Sequence, residues 1–169
     1  DGFVDNYRGW DLADNDNEPK ADDSKKHGVM VAGLAAAKGD NNLFGIGTGF
    51  NCKFLPIKSS NNGNAAGTIV KGFEGIEYAV NHGAKVVNLS WGHYEYSQAE
   101  QDFINFCVKD LDVLIVAAAG NSNTEKMFYP ASYDNVLSVT HLTVSDQKET
   151  AGNYNLKIDI SAPGSGVTS

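Results

Sequence analysis

The chain has 169 residues and a formal net charge of −8, with 41% hydrophobic and 20% charged side chains. That length suits one domain with a sizeable core, and residues 1–169 read as a single domain. The negative balance, with no Lys/Arg cluster, excludes nucleic acid as a partner, and no apolar run approaches the roughly 18 residues of a membrane-spanning helix.

Residues 1–26 are polar and loop-like, with eight Asp/Glu against four Lys/Arg. His27 to Lys38 predicts a helix of small residues stopped by Gly39, and Asp40 to Asn51 a turn-rich connection. Lys53 to Lys58 predicts a short strand, which Pro56 puts near an edge or a bulge. After a flexible loop from Ser59 to Gly63, the spacing of Ile69, Phe73, Ile76, Tyr78 and Val80 predicts an amphipathic helix from about Ala65 to Asn81. Val86 to Ser90 reads as a buried strand, and residues 97–110 as a second amphipathic helix with Phe103, Phe106 and Cys107 on one side. Asp112 to Ala119 is the most hydrophobic strand, followed by strands at Val136 to Thr143 and Lys157 to Ile160. Cys52 and Cys107 are too few for a disulfide framework and lack metal spacing, so both read as buried free thiols.

Strands alternate with helices, and the continuous apolar run Val113 to Ala119 implies burial on both faces. This is the pattern of an α/β fold with a parallel sheet and right-handed crossovers. Ligands of such sheets bind beyond the carboxyl ends of the strands. Ser90-Trp91-Gly92 and Gly120-Asn121 both lie just past such ends.

His27 stands at the mouth of its helix, where a neutral imidazole can act as a general base; the plainer reading is a surface histidine starting a helix. Asn121 follows a tight turn after a central strand, where its amide can donate to a developing oxyanion; the alternative is an ordinary Gly-Asn turn. Gly92 lets another backbone approach, so an extended peptide could pair along Ser90–Gly92; the alternative is a strand end with an aromatic plug. Asp11, Asp14, Asp16 and Glu18 offer hard oxygen ligands for Ca²⁺ or form a solvated acidic loop, and their spacing is not that of an EF-hand. Gly45 to Gly49 lacks the strand and helix of a dinucleotide loop, and His82, His93 and His141 read as structural.

Three segments in this order, His27-Gly28-Val29-Met30-Val31-Ala32-Gly33, Ser90-Trp91-Gly92 and Ala117-Ala118-Ala119-Gly120-Asn121, resemble the subtilisin-like serine peptidases, the subtilases. Tyr129-Pro130-Ala131 resembles that family's specificity-pocket segment, and Asp159 to Gly164 the segment before its serine loop. The resemblance implies a three-layer α/β fold, a mainly parallel sheet with helices on both faces, incomplete here. It implies a serine endopeptidase acting on protein or peptide through an acyl-enzyme, extracellular or at the cell surface. His27 would be the base and Asn121 the oxyanion donor. Ser90, Trp91 and Gly92 would form one wall, and Ala118, Ala119 and Gly120 the other, of the pocket for the side chain before the cleaved bond. No cofactor is required; a structural Ca²⁺ is the candidate ion at Asp11, Asp14, Asp16 and Glu18.

The family's aspartate and serine segments are not among these residues, and neither Ser90 nor Ser169 has the setting of a nucleophile. The chain by itself is therefore expected to be inactive. It is also expected to expose apolar strand edges, and so to dimerise or pair with the missing segments. The family's Gly, Thr and His around the catalytic histidine are replaced by Lys26, Val29 and Met30. These changes remove hydrogen-bonding groups and put a positive charge beside His27. They leave open a degenerate domain that binds extended peptides without cutting them.

Overall fold

In a computed structural model of the chain, residues 7–21, 26–43, 45–62 and 68–168 are described. The chain packs as two compact units, Asp1–His82 with Thr168–Ser169, and Gly83–Val167.

In the first unit, β1 (Trp10–Asp11) runs parallel to β2 (Ile57–Lys58), with Trp10 opposite Ile57. Only the end of the expected 53–58 strand forms, because Pro56 has no N–H to give the ladder; its carbonyl still accepts the Trp10 N–H at 3.2 Å. α1 (His27–Ala36) ends before the expected Lys38. A returning loop stops it: the N–H groups of Gly47, Thr48 and Gly49 take the carbonyls of Ala37, Leu34 and Ala35 at 2.8–3.0 Å. Gly47 comes so close that a Cβ there would lie 2.4 Å from the Ala37 nitrogen. α1 is apolar all round, as buried helices are, yet none of its residues is buried and Val29 is 59% exposed.

α2 (Gly72–Asn81) starts later than the periodicity from Ala65 predicts. Val70 and Lys71 both donate to the Ser59 carbonyl, which holds this stretch as a connection; residues 63–67 lie outside those described. The buried face of α2 is Gly75, Ile76, Tyr78 and Ala79, the three-to-four spacing of an amphipathic helix. Cys52 is exposed, not buried as expected, because its N–H closes a turn on Gly49 instead of starting a strand.

The second unit holds a four-stranded, all-parallel sheet in the order β3 (Val86–Leu89), β4 (Leu114–Ala118), β5 (Val136–Leu142), β6 (Ile160–Pro163). α3 (Gln98–Lys109) crosses over between β3 and β4. Ser97 caps it, its hydroxyl accepting the Glu100 N–H at 3.4 Å. The buried face of α3 is Gln101, Ile104 and Cys107; Phe106, expected on that side, is 49% exposed.

Burial in β3 and β4 alternates instead of covering both faces. Val87, Leu89, Ile115 and Ala117 are buried, while Val86 and Leu114 are 61% and 46% exposed. Among the described residues of this unit, α3 is the one helix, and the buried side chains of β3 and β4 share one face of the sheet while Val86 and Leu114 point to the other. The last strand begins at Ile160, three residues after the expected Lys157, because Ile158 donates to the Asn155 carbonyl in a turn.

Candidate functional site

His27 is the first residue of α1 and is exposed. Its helix has no side-chain N-cap; the Lys26 carbonyl accepts the Met30 N–H at 2.9 Å. The base candidate is therefore oriented by the helix behind it, which the Gly47–Gly49 loop fixes at its far end.

The acidic loop of the same unit is organised around Lys58. Asp11 is fully buried; its Oδ1 accepts the N–H groups of Ala13 and Asp14 at 2.9 and 3.1 Å, and its Oδ2 takes the Lys58 ammonium. Lys58 also donates to Asp14 Oδ2 at 3.1 Å. That hydrogen bond holds the Asp14 carboxyl below its usual range. Burial works against the Lys58 charge, but the bonds to Asp11 and Asp14 outweigh it and raise its pKa. Asp16 caps the Glu18 N–H at 2.8 Å, and Glu18 pairs with Lys20 at 3.5 Å in solvent. Carboxylate oxygens suit Ca²⁺ by chemistry, but here two of the four carboxylates share the Lys58 ammonium and a third pairs with Lys20. Among the described residues, no three His, Cys, Asp or Glu side chains gather as a metal site.

In the second unit, β3 and β4 pair in parallel from Val86 with Leu114 to Leu89 with Ala117. The same register, continued, sets Ser90, Trp91 and Gly92 beside Ala118, Ala119 and Gly120. One ring bears on the last pair. A Cβ on Gly92 would lie 2.4 Å from Phe128 Cε1, and one on Gly120 3.1 Å from Phe128 Cδ1. Phe128 is itself held: its N–H donates to Ser132 Oγ at 3.0 Å, and the Ser132 N–H returns to its carbonyl at 2.9 Å. Beyond Gly92, His93 and Tyr129 exchange backbone bonds at 2.7 and 2.8 Å.

Asn121 is exposed on the turn after β4, and that turn hangs on one buried side chain, Asn153. Asn153 Nδ2 donates to the Ala119 carbonyl at 2.8 Å, and its backbone N–H to Gly120 at 3.0 Å. Its Oδ1 accepts the N–H groups of Ser122 and Thr124 at 2.9 and 3.4 Å. Gly120 has φ +99°, and a Cβ there would lie 2.4 Å from Asn153 Nδ2. Glycine is thus required twice over, for its backbone conformation and for its contact.

His93, expected to be structural, has its Nε2 3.4 Å from Glu100 Oε2. The Tyr133 hydroxyl donates to the same oxygen at 2.6 Å. Burial, then the Glu100 bond, pushes the Tyr133 phenol up.

Sequence reasoning missed Asn153 and Phe128. Asn153 is 34 residues from the carbonyl it holds and has no local signal. Phe128 had one: it directly precedes the Tyr129-Pro130 pair already singled out.

A family model described as the subtilase family matches residues 3–169. The chain is 36% identical over 170 residues to a thermophilic serine proteinase of Bacillus sp. strain AK1 (100% of this chain, 41% of that protein). It is 35% identical over 161 residues to thermitase of Thermoactinomyces vulgaris (95% of this chain, 56% of that protein). The fold is similar to that of a psychrophilic subtilisin-like protease of Pseudoalteromonas sp. AS-11, with TM-score 0.69 and 30% identity over 80% of this chain and 31% of that one. The chain thus spans about half, or less, of the length of these relatives, and its α/β fold is subtilisin-like.

Proposed function

We propose that this chain, which belongs to the subtilase family, supplies the general base and the oxyanion donor of a serine endopeptidase. Its relatives include proteins named as serine proteinase or serine protease, one of them named as extracellular, which supports a secreted enzyme acting on protein or peptide. The nucleophilic serine and the acid that orients the histidine belong to other segments of the parent protein.

In the proposed reaction an extended peptide lies along Ser90–Gly92, with the side chain before the cleaved bond between that segment and Ala118–Gly120. His27 takes the proton from the serine hydroxyl as the oxygen attacks the scissile carbonyl, and gives it to the leaving amine. Water then repeats the attack on the acyl-enzyme, and His27 again carries the proton. Asn121 donates to the oxyanion at both stages. Removing such a donor from a subtilisin costs about 10²–10³ in kcat, a magnitude taken over from that enzyme. The observation that carries this reading is the Asn121 turn: an exposed amide on a loop that buried Asn153 holds by four hydrogen bonds. Preorganisation of that kind is what makes a donor catalytic.

A second reading is a degenerate peptide-binding domain. Val29 and Met30, both more than half exposed beside His27, favour it because neither side chain carries an N–H or O–H to donate. Among the described residues β3 is an edge strand of its sheet, which also suits pairing with a further strand, of the parent or of a second copy.

The deciding measurement is the intact mass of the full-length parent after a fluorophosphonate, with His27→Ala as control. A single adduct that disappears in the control is expected. No adduct on a folded parent would leave the peptide-binding reading.

A further inference from the structure

We infer that Phe128 sets the substrate class of this site: it occupies the floor between the two walls, so the residue before the cleaved bond is small, of the size of alanine, glycine or serine. The inference rests on the peptidase reading above for its meaning, and on packing in the second unit for its content.

Two glycines at matching positions beyond adjacent parallel strands would leave room for a bulky substrate side chain. Here one ring takes up that room. The Cε1–Cζ edge of Phe128 lies against Gly92, where a Cβ would sit 2.4 and 2.8 Å from those atoms, and its Cγ and Cδ1 lie against Gly120, each 3.1 Å from a Cβ there. The ring is only half-buried, so it forms a floor open to solvent and not a piece of core. It also has little freedom to swing away. The reciprocal bonds with Ser132 fix its backbone, the His93–Tyr129 bridge fixes the next residue, and the Tyr94 ring meets it edge-on at 5.1 Å. An aromatic substrate side chain would need the volume this ring fills, and close-packed protein does not yield such volume without strain.

The test uses the full-length parent and two peptides that differ only in Ala or Phe before the scissile bond. The native protein should cleave the Ala peptide with a kcat/KM at least about tenfold higher, since even one methylene in a pocket is worth roughly 10–200-fold. Phe128→Ala should raise the Phe/Ala ratio at least about tenfold, Phe128→Leu should raise it less, and Phe128→Trp should lower it. If Phe128→Ala does not fold, the Leu and Trp variants carry the comparison. A native ratio near one, unmoved in the variants, overturns the assignment. If no peptide is cleaved and the fluorophosphonate leaves no adduct, the peptidase reading falls. Calorimetry with product-like peptides ending in Ala or Phe then still decides the pocket: at least tenfold tighter binding of the Ala peptide supports it, and equal binding overturns it.

Discussion

In the unit of residues 83–167, four parallel strands pair over four positions at each junction, and the inward side chains Val87, Leu89, Ile115 and Ala117 are buried. In the unit that ends at His82, the one strand pair among the described residues is two residues long, and α1, which carries His27, has no buried residue. The two units hold their chemical groups by different means. Asn121 sits on a turn pinned by hydrogen bonds from a side chain inside the fold. His27 sits on a helix whose apolar surface, Val29, Met30 and Leu34, is open in this chain. A hydrogen-bonded support is complete within its own unit, whereas an apolar helix gains its stability from what covers it.

The sharpest way to break this contrast is to attack the polar support of the weaker unit. Lys58→Met leaves the Asp11 carboxylate, fully buried, without its ion partner. Removing one member of a buried pair costs about 3–5 kcal/mol, so thermal unfolding followed at Trp10, which is buried beside Asp11, should shift down by many degrees. Asp11→Asn added to Lys58→Met should recover part of the loss, because it removes the orphaned charge. Should a chelator lower the native transition as much as Lys58→Met does, a cation and not Lys58 holds this loop.

The matching attack on the second unit is Asn153→Ala. It leaves the N–H groups of Ser122 and Thr124 and the Ala119 carbonyl without that partner. An orphaned buried polar group costs about 1–3 kcal/mol. For the proposed parent peptidase the expected signature is a fall in kcat with KM little changed, because the hydrogen bonds of Asn153 run to the turn that carries Asn121. In a double-mutant cycle, Asn153→Ala should cost much less on an Asn121→Ala background than on the native one. Additive losses would mean that Asn153 supports the fold alone.

Much of the second unit was legible in the sequence. The apolar runs at Val86 and Val113, and the helical stretch from residue 97, are local signals that survive folding. The Gly120-Asn121 turn was legible too, because Gly120 adopts the left-handed backbone its residue type favours. The supports were not. Asn153 to Ala119 and Lys58 to Asp11 are contacts across 34 and 47 residues, and no spacing rule reaches that far. The acidic loop read as a cation site because its carboxylates are neighbours in sequence, while the ammonium that faces two of them comes from β2. The α2 boundary failed for the same reason: Ser59, well before it, takes the N–H groups of Val70 and Lys71.

The smallest expected effect is in pH, and it separates the units by sign. The Lys58 bond depresses the Asp14 carboxyl below its ordinary 3.8. A depressed acid stabilises above its unfolded pKa, so this contribution is present above about pH 4 and lost as pH falls through the folded value. Tyr133 is the reverse case: burial, then Glu100, raises its phenol above the ordinary 10.0. The folded state keeps that proton longer than the unfolded one. Its contribution is therefore whole below pH 10 and lost as pH climbs from there toward the folded value. The chain has two tryptophans, Trp10 in the first unit and Trp91 in the second, so each limb can be read by its own reporter. Followed at Trp10, Asp14→Asn should flatten the acid limb below pH 4. Followed at Trp91, Tyr133→Phe should flatten the alkaline limb above pH 10. Each variant should leave the other reporter's limb in place; if both reporters respond to either change, the two units melt as one and the contrast between their supports disappears.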